Sequence, residues 1–330
     1  MVEVKQAIKT VRWGIIGCGD VTEVKSGPAL QKADQSALVA VMRRNGKLAE
    51  DFARRHSVPR WYDDAAALIH DPQVDAVYIA TPPASHKEYT VMSAAAGKPV
   101  YVEKPMAHTV AECQAMLVAC QQAGVPLYVA YYRRALARFL KIKELVAAQA
   151  IGEVRSVTVT LYQPPPAEPT LNWRVEPEVA GGGYFVDLAA HMLDFLDFVL
   201  GPISQVQGFA ANHGRFYAAE DIVTGAFVFA SGVQGMGTWC FTAYERRDQT
   251  EIVGSRGKIT YSTFDDRPIV LTTAVGTQTF AYNYPPHIQQ PLIQQVVHAL
   301  TGVGECASTG ETAVRTTWVM EQMLQDYYHR

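Results

Sequence analysis

The most constraining feature of the sequence is a rhythm that runs from residue 12 to residue 130 and then stops. Short apolar, β-branched runs at 12–17, 37–42, 76–80, 99–103 and 126–130 alternate with helix-like stretches at 46–56, 65–69, 85–96 and 109–123. Strands that are apolar on both sides, joined by connections of helix length, form a parallel sheet covered on both faces. Gly97-Lys98-Pro99 and Gly124-Val125-Pro126 mark two helix ends, where glycine takes the left-handed turn and proline stops the helix. This half of the chain therefore predicts a doubly wound α/β domain.

Beyond it the pattern changes. A helix at 134–148 leads into a strand at 154–162, a proline-rich loop at 164–169 and a helix at 184–200. From 203 to 282 nearly everything reads as strand, with turns near Gly232, 254–257 and Gly276, before two closing helices at 289–300 and 311–327. Meandering strands after an alternating half predict an α+β domain on a large, mostly antiparallel open sheet. The expected division is 1–131 and 132–330, and 330 residues suit two domains of about 150 each.

Composition narrows the partners. Lys and Arg total 29 against 32 Asp and Glu, a net charge of −3, which argues against a nucleic-acid or anionic-membrane partner. Hydrophobic residues make up 48%, enough to exclude intrinsic disorder. Charged residues are 18%, below the ~25% usual for soluble domains, which points to surface buried between subunits. The five cysteines, Cys18, Cys113, Cys120, Cys240 and Cys306, are odd in number and lack paired metal spacing. Free thiols in a reducing cytosol fit them. Met1 to Thr10 carries no signal-peptide core and no apolar run reaches membrane-spanning length, so a cytoplasmic protein is expected.

Gly17-Cys18-Gly19 directly follows the first strand. The first glycine permits a tight turn, and the second lets backbone approach a pyrophosphate at the helix start, where Asp20 and Val21 follow as candidate cofactor contacts. A third small residue is usual three positions on, but Thr22 stands there, and a plain strand-to-helix turn is the competing reading. The end of the second strand says more. An acid normally binds the ribose 2′-hydroxyl at that point, whereas here Arg43-Arg44-Asn45-Gly46 follows and no acid comes before Glu50. Two guanidiniums suit a 2′-phosphate, so NADP(H) is expected over NAD(H), against the alternative of solvated loop charges.

Two further motifs carry chemistry. Glu103-Lys104-Pro105 stands at the C-terminal end of the 99–103 strand, where doubly wound folds bind ligands. A lysine there can serve as an acid or base, the plainer reading being a surface ion pair. Gly181-Gly182-Gly183 precedes an apolar helix in which Asp187, His191 and Asp194 stand at i, i+4 and i+7. Such a helix with one polar stripe aims it at something polar, with His191 as proton donor or acceptor and Asp187 orienting it. An internal hydrogen-bond network and a metal site compete, the metal disfavoured because no further His or Cys cluster accompanies it.

Taken together, Gly17-Cys18-Gly19, Thr81-Pro82-Pro83 with His86, Glu103-Lys104-Pro105 and the Gly182-Gly183 lead into Asp187 and His191 resemble the glucose–fructose oxidoreductase / inositol dehydrogenase (Gfo/Idh/MocA) family. The resemblance covers essentially the whole chain. It implies a Rossmann domain followed by an α+β domain whose open sheet packs against another subunit as a homodimer or homotetramer. It also implies Lys104, Asp187 and His191 as the catalytic set, with Lys104 bridging substrate and the nicotinamide of the cofactor. Thr81, Pro82 and His86 would line the adenosine–pyrophosphate side, with the Glu103 backbone at the nicotinamide ribose. Arg133, beside Tyr132, would contact cofactor or substrate, and Trp173-Arg174 resembles a pair that closes over the cofactor, with core packing the alternative for Trp173. Thr22 departs from the family pattern and puts close helix–sheet packing in doubt.

The function expected on this basis is NADP(H)-dependent interconversion of a carbonyl and a secondary alcohol on a sugar, polyol or cyclic diol. Lys104 and His191 handle the proton in that reading. Two alternatives stand beside it: a glycoside hydrolase with tightly held NAD, and a non-catalytic nucleotide sensor. Substrate specificity is expected from the 164–169 loop and residues near Tyr244.

Overall fold

The computed structural model describes residues 9–166 and 172–328. The opening segment 1–8 and the second half of the 164–169 loop, from 167, lie outside the described residues. The chain forms two compact units. One comprises the chain up to Met106, Ala111–Ala135 and Pro285–Thr312; the other comprises Ala107–Val110, Leu136–Tyr284 and the chain from Ala313. The sequence points to a single division at 131, four residues before the end of the Ala111–Ala135 segment. It gives no sign that 285–312 returns to the first unit.

The first unit contains β1 (Val11–Ile16), α1 (Asp20–Val24), α2 (Gly27–Lys32), β2 (Ser36–Met42), α3 (Gly46–Arg55), β3 (Arg60–Tyr62), α4 (Ala65–Ile69), β4 (Ala76–Ile79), α5 (His86–Ala95), β5 (Val100–Val102), α6 (Val110–Ala123) and β6 (Leu127–Val129). The strands form one parallel sheet in the order β3-β2-β1-β4-β5-β6. Strand order reverses between β1 and β4, the place where doubly wound sheets bind their ligands. The buried core packs aromatic rings behind that point: Tyr78 stacks on Tyr101 at 5.0 Å, and Trp13 meets Tyr101 edge-on at 6.3 Å.

Three elements of this unit are absent from the sequence reading. β3 is a three-residue edge strand, mostly exposed and lacking an apolar run. The first crossover is two short helices instead of one, broken at Lys25-Ser26 before Gly27-Pro28. A Cβ on Gly27 would lie 2.2 Å from the Thr22 carbonyl oxygen, so glycine lets the start of α2 fold tightly against the backbone of α1.

The second unit contains α7 (Ala137–Ala147), β7 (Val154–Tyr162), α8 (Pro177–Ala180), α9 (Ala190–Leu200), β8 (Ile203–Ala211), β9 (Ile222–Phe229), β10 (Gln234–Cys240), β11 (Arg247–Gly254), β12 (Gly257–Tyr261), β13 (Ile269–Thr273) and β14 (Gly276–Phe280). Its sheet runs β14-β13-β12-β11-β7-β10-β9-β8, antiparallel throughout except for the β7–β10 pair. Two helices close the chain. α10 (Gln290–Thr301) packs on α2 and β1 in the first unit, and α11 (Gly310–Tyr328) enters the second unit from Ala313.

Alternation along the strands gives the second sheet two different faces. Val157, Val159, Leu161, Phe227 and Trp239 are buried on one side. There α11 sits directly on the sheet, since a Cβ on Gly208 would lie 2.6 Å from Met323 Cα. Helix α9 is tied to α11 by a bidentate pair, Arg315 Nη2 to Asp197 Oδ1 at 2.6 Å and Nε to Oδ2 at 2.9 Å. The opposite side carries Thr158, Thr160, Phe209, Thr224, Met236 and Thr238, with Phe209 68% and Met236 59% exposed. These residues line a shallow hollow of about 330 Å³.

Candidate functional site

The glycine turn is built as a cradle. Gly17 has φ +91°, and a Cβ there would lie 2.8 Å from Thr81 Cγ2 and 2.9 Å from Thr81 N. Only glycine meets both demands. Its N–H and that of Cys18 bond to the Met42 carbonyl, at 2.9 and 3.1 Å, which joins the turn to the end of β2. Gly19 is different. A Cβ on it would meet nothing closer than the Gly17 oxygen at 4.0 Å, so one side of the backbone stands open. Asp20 and Val21 then start α1, and Thr22 turns inward to donate from Oγ1 to the Gly19 carbonyl at 2.7 Å.

Arg43 and Arg44 are both exposed at the end of β2. Asn45 caps α3 after them by accepting from the Leu48 N–H. Burial pushes the Cys18 thiol up to about 11, and the Arg43 charge is the largest effect pulling the other way, so Arg43 lies within electrostatic reach of the glycine turn. On the far side of the turn, α1 is held to α3 by Glu23. Its oxygens accept from Arg55 Nη1 and Nη2, each at 2.7 Å, and His56 Nε2 is also 2.7 Å away.

Arg55, the first cause, and His56 hold the Glu23 carboxyl down at about 2 against an ordinary 4.5. A depressed folded-state pKa contributes stability that is present above the ordinary value and lost as pH falls through the folded one. Thermal unfolding followed between pH 4.5 and about 2 is therefore expected to fall less steeply in Glu23→Gln than in the wild type. Partial exposure limits the difference to under about 1 kcal/mol.

Thr81 and Pro82 form the loop after β4, both half-buried. His86 stands behind them and is fully buried. Its Nε2 lies 2.8 Å from the Thr81 carbonyl oxygen and its Nδ1 3.0 Å from that of Pro105. Burial lowers its pKa. The ring is thus a strut between two loops, and in this structure Thr81 and Pro82, not His86, form the accessible surface there.

Glu103 and Lys104 follow β5, and the Lys104–Pro105 peptide is cis. Glu103 is buried in a hydrogen-bonded network. Its Oε1 accepts from the Tyr78 hydroxyl at 2.6 Å and from Gln289 Nε2 at 2.7 Å, while Oε2 accepts from the Lys104 N–H at 3.2 Å. Tyr101 donates to Gln289 Oε1 at 3.0 Å. Burial, reinforced by the Glu103 charge, raises both tyrosines well above their ordinary range and keeps them as donors. Lys104 is half-buried. Arg133 is buried with its guanidinium 5.0 Å from the centre of the Tyr132 ring.

In the second unit, Asp187 sits in the middle of a single π-helical turn, Phe185–Ala189, that leads into α9. One extra residue per turn widens the helix there and changes the phase between Asp187 and His191 from the regular stripe the spacing predicts. Among the three, Asp187 is the least buried, with its side chain 20% exposed. His191 is 4% exposed with its ring 6.2 Å from Phe264, and Asp194 is fully buried. Arg174 Nε approaches Asp187 Oδ2 at 3.4 Å, and the same guanidinium lies 4.5 Å from the centre of the half-buried Trp173 ring. The structure therefore joins Arg174 to the Asp187 carboxylate, a pairing that the expected closing role did not include.

Comparison with known proteins places this geometry. Residues 11–131 match an oxidoreductase family with an NAD-binding Rossmann fold, and 139–260 match the GFO/IDH/MocA C-terminal domain. The chain belongs to the Gfo/Idh/MocA oxidoreductase family. A protein of Formosa agariphila described as an oxidoreductase is 39% identical over 315 residues, covering 94% of this chain and 97% of the relative. The 1,5-anhydro-D-fructose reductase of Ensifer adhaerens is 28% identical over 312 residues, 92% of each chain. A levoglucosan dehydrogenase solved in complex with NADH and levoglucosan shares the fold, with TM-score 0.85 over 97% of this chain and 98% of that one at 23% identity.

The residues present fit the dinucleotide that this family binds. The Gly17 cradle, the open side of Gly19 and the Thr81-Pro82 loop frame the β1–β4 reversal, and the exposed arginines flank it at the end of β2. Three supporting residues are unmarked in the sequence motifs: Tyr78, Gln289 and Glu220, whose carboxylate accepts from the Gly183 N–H. The first two have ordinary neighbours in sequence, and nothing local marks them. Glu220 stands beside Asp221 at the head of an otherwise uncharged strand, a paired-acid signal that was available.

Proposed function

We propose that this Gfo/Idh/MocA protein is an NADP(H)-dependent oxidoreductase that interconverts a carbonyl and a secondary alcohol on a sugar, polyol or cyclic diol. The observation that carries the reaction class is the helix with Asp187 in a π-turn and His191 nearly buried beyond it. Asp187 and His191 share a mostly apolar, buried helix with Asp194 and with Asp197, which Arg315 engages, and the first two answer the need for a proton-handling group. When bound, the nicotinamide supplies the hydride acceptor or donor. Lys104 and His191 hold and move the accompanying proton at the substrate oxygen, Asp187 orients the histidine, and Arg174 steadies the Asp187 carboxylate. Gly17, Gly19 and Thr81 would hold the pyrophosphate side, and the Glu103 backbone the nicotinamide ribose.

The NADP preference rests on Arg43 and Arg44, two exposed guanidiniums at the place where a ribose-binding acid usually stands. The substrate class is supported by the names of relatives, which include 1,5-anhydro-D-fructose reductase, myo-inositol 2-dehydrogenase of Thermotoga maritima and trans-1,2-dihydrobenzene-1,2-diol dehydrogenase of Sus scrofa. The uncovered face with Phe209 and Met236 supports assembly through the second sheet. The cysteines are free thiols, in keeping with a reducing compartment, and no described helix is long and apolar enough to cross a membrane.

Parallel fluorescence titrations with NADPH and NADH test the reading. NADPH is expected to bind about tenfold or more tightly than NADH, the equivalent of one charged hydrogen bond. Stoichiometric turnover of free NADPH with a sugar or polyol carbonyl should follow. A nucleotide that co-purifies and does not exchange, with sugar release but no net redox change, would instead establish the bound-cofactor hydrolase.

A further inference from the structure

The start of the helix that carries Asp187 and His191 is held by a carboxylate from a distant part of the second unit. Glu220 is fully buried just before β9. Both of its oxygens face the Gly183 N–H, at 2.8 and 3.0 Å, and the Tyr328 hydroxyl donates to Oε2 at 2.6 Å. Gly183 is the residue whose carbonyl accepts the Asp187 N–H, at 3.3 Å, so it closes the first turn. The N–H at this capping position has no acceptor within the helix. In many helices a Glu three residues on reaches back to it; here Glu220 supplies the same acceptor from elsewhere in the chain. Its negative charge also meets the positive end of the helix.

The surroundings leave this segment no room. A Cβ on Gly183 would lie 2.8 Å from both the Ala219 Cβ and the Glu220 carbonyl oxygen. On Gly181, which has φ +85°, a Cβ would lie 2.7 Å from the His108 ring. His108 is itself positioned with Nε2 3.0 Å from the Val179 carbonyl oxygen. The turn that follows is a π-turn, a rare form found mostly as a single turn within an α-helix and often at functional sites. Asp187 lies four residues beyond Gly183, so a small shift at the cap is carried directly into its carboxylate. Burial and the Glu220 charge raise the Tyr328 pKa, which keeps its hydroxyl protonated and donating.

We infer that Glu220 and Tyr328 are positioning residues. Their hydrogen-bonded pair anchors Gly183, sets where the π-turn begins, and so aims Asp187 and His191. The last described turn of α11 thereby takes part in the reaction without touching substrate or cofactor. This inference rests on the proposed proton-handling roles of Asp187 and His191.

The test uses the full chain with Tyr328→Phe, Glu220→Gln and Glu220→Ala, read by amide hydrogen exchange and by steady-state kinetics with NADPH and a sugar carbonyl. Tyr328→Phe and Glu220→Ala are expected to speed exchange over 181–191 by about tenfold, the loss of one hydrogen bond to a charged group, with the first unit unchanged. They should also lower kcat by about tenfold while the cofactor KM stays within about twofold. Glu220→Gln keeps an acceptor for Gly183 and should recover most of that kcat. Unchanged exchange over 181–191, or uniform loosening of the second unit with kcat intact, would overturn the inference. Should Glu220→Ala fail to fold, Tyr328→Phe decides alone, since it removes a single hydroxyl. His191→Ala and Asp187→Asn run in parallel: if they retain turnover, the proton roles are wrong and the anchor is judged on exchange only.

Discussion

Replacing Lys104 or His191 by alanine is expected to lower kcat about a thousandfold while leaving NADPH affinity within about twofold. The size follows from the step removed. Moving hydride to a carbonyl leaves an alkoxide unless a proton arrives with it, and a positioned donor is worth about 10²–10⁴-fold. In the proposed mechanism binding is spared because both side chains act on the substrate oxygen, whereas the dinucleotide is expected to be held by the Gly17–Gly19 turn, the Thr81-Pro82 loop and the arginines. The loss should therefore fall on kcat and kcat/KM for the substrate alike. Fluorescence titration of the same variants separates this from misfolding. A variant that keeps a near-wild-type rate removes that residue from the mechanism.

The double variant Arg43→Ala, Arg44→Ala is expected to raise the NADPH Kd by about a hundredfold and to change the NADH Kd by less than about threefold. Each guanidinium can give the 2′-phosphate hydrogen bonds between charged partners, worth about 1.5–3 kcal/mol apiece. NADH has no such phosphate to lose. Both side chains are exposed, so their removal leaves no buried partner unsatisfied and the fold should be untouched. The NADPH loss should shrink as salt is added, since exposed charges are screened. Equal effects on the two nucleotides would mean that the arginines serve only as solvated loop charges.

Much of the fold is legible in the sequence because its signals are local and periodic. The strand expected at 154–162 and the helix expected at 65–69 have the observed bounds of β7 and α4. A doubly wound sheet followed by a mostly antiparallel one was readable from the change of rhythm after residue 130. What the sequence hides is whatever depends on a partner far along the chain. His86 reads as a ligand contact, yet two main-chain carbonyls from different loops occupy its two nitrogens. The helical spacing of Asp187, His191 and Asp194 assumes a uniform turn, and no residue in 185–189 announces that the turn is wider. Gln289 and Tyr328 are invisible for the same reason: their meaning lies in Glu103 and Glu220, 186 and 108 positions away.

The way the chain returns to its first unit has a consequence for synthesis. Glu103 is buried against Gln289, and α10 packs on β1 and α2, so the unit that begins the chain is completed by residues near its end. A nascent chain stopped after β6 has every strand of the parallel sheet but lacks one covering helix and one partner of a buried carboxylate. The first unit is thus complete only once 285–312 has been synthesised, after most of the second unit. For the same reason a fragment cut at 131 is not a portable module: grafted elsewhere, it would expose the apolar ground beneath α10 and leave Glu103 short of an amide donor.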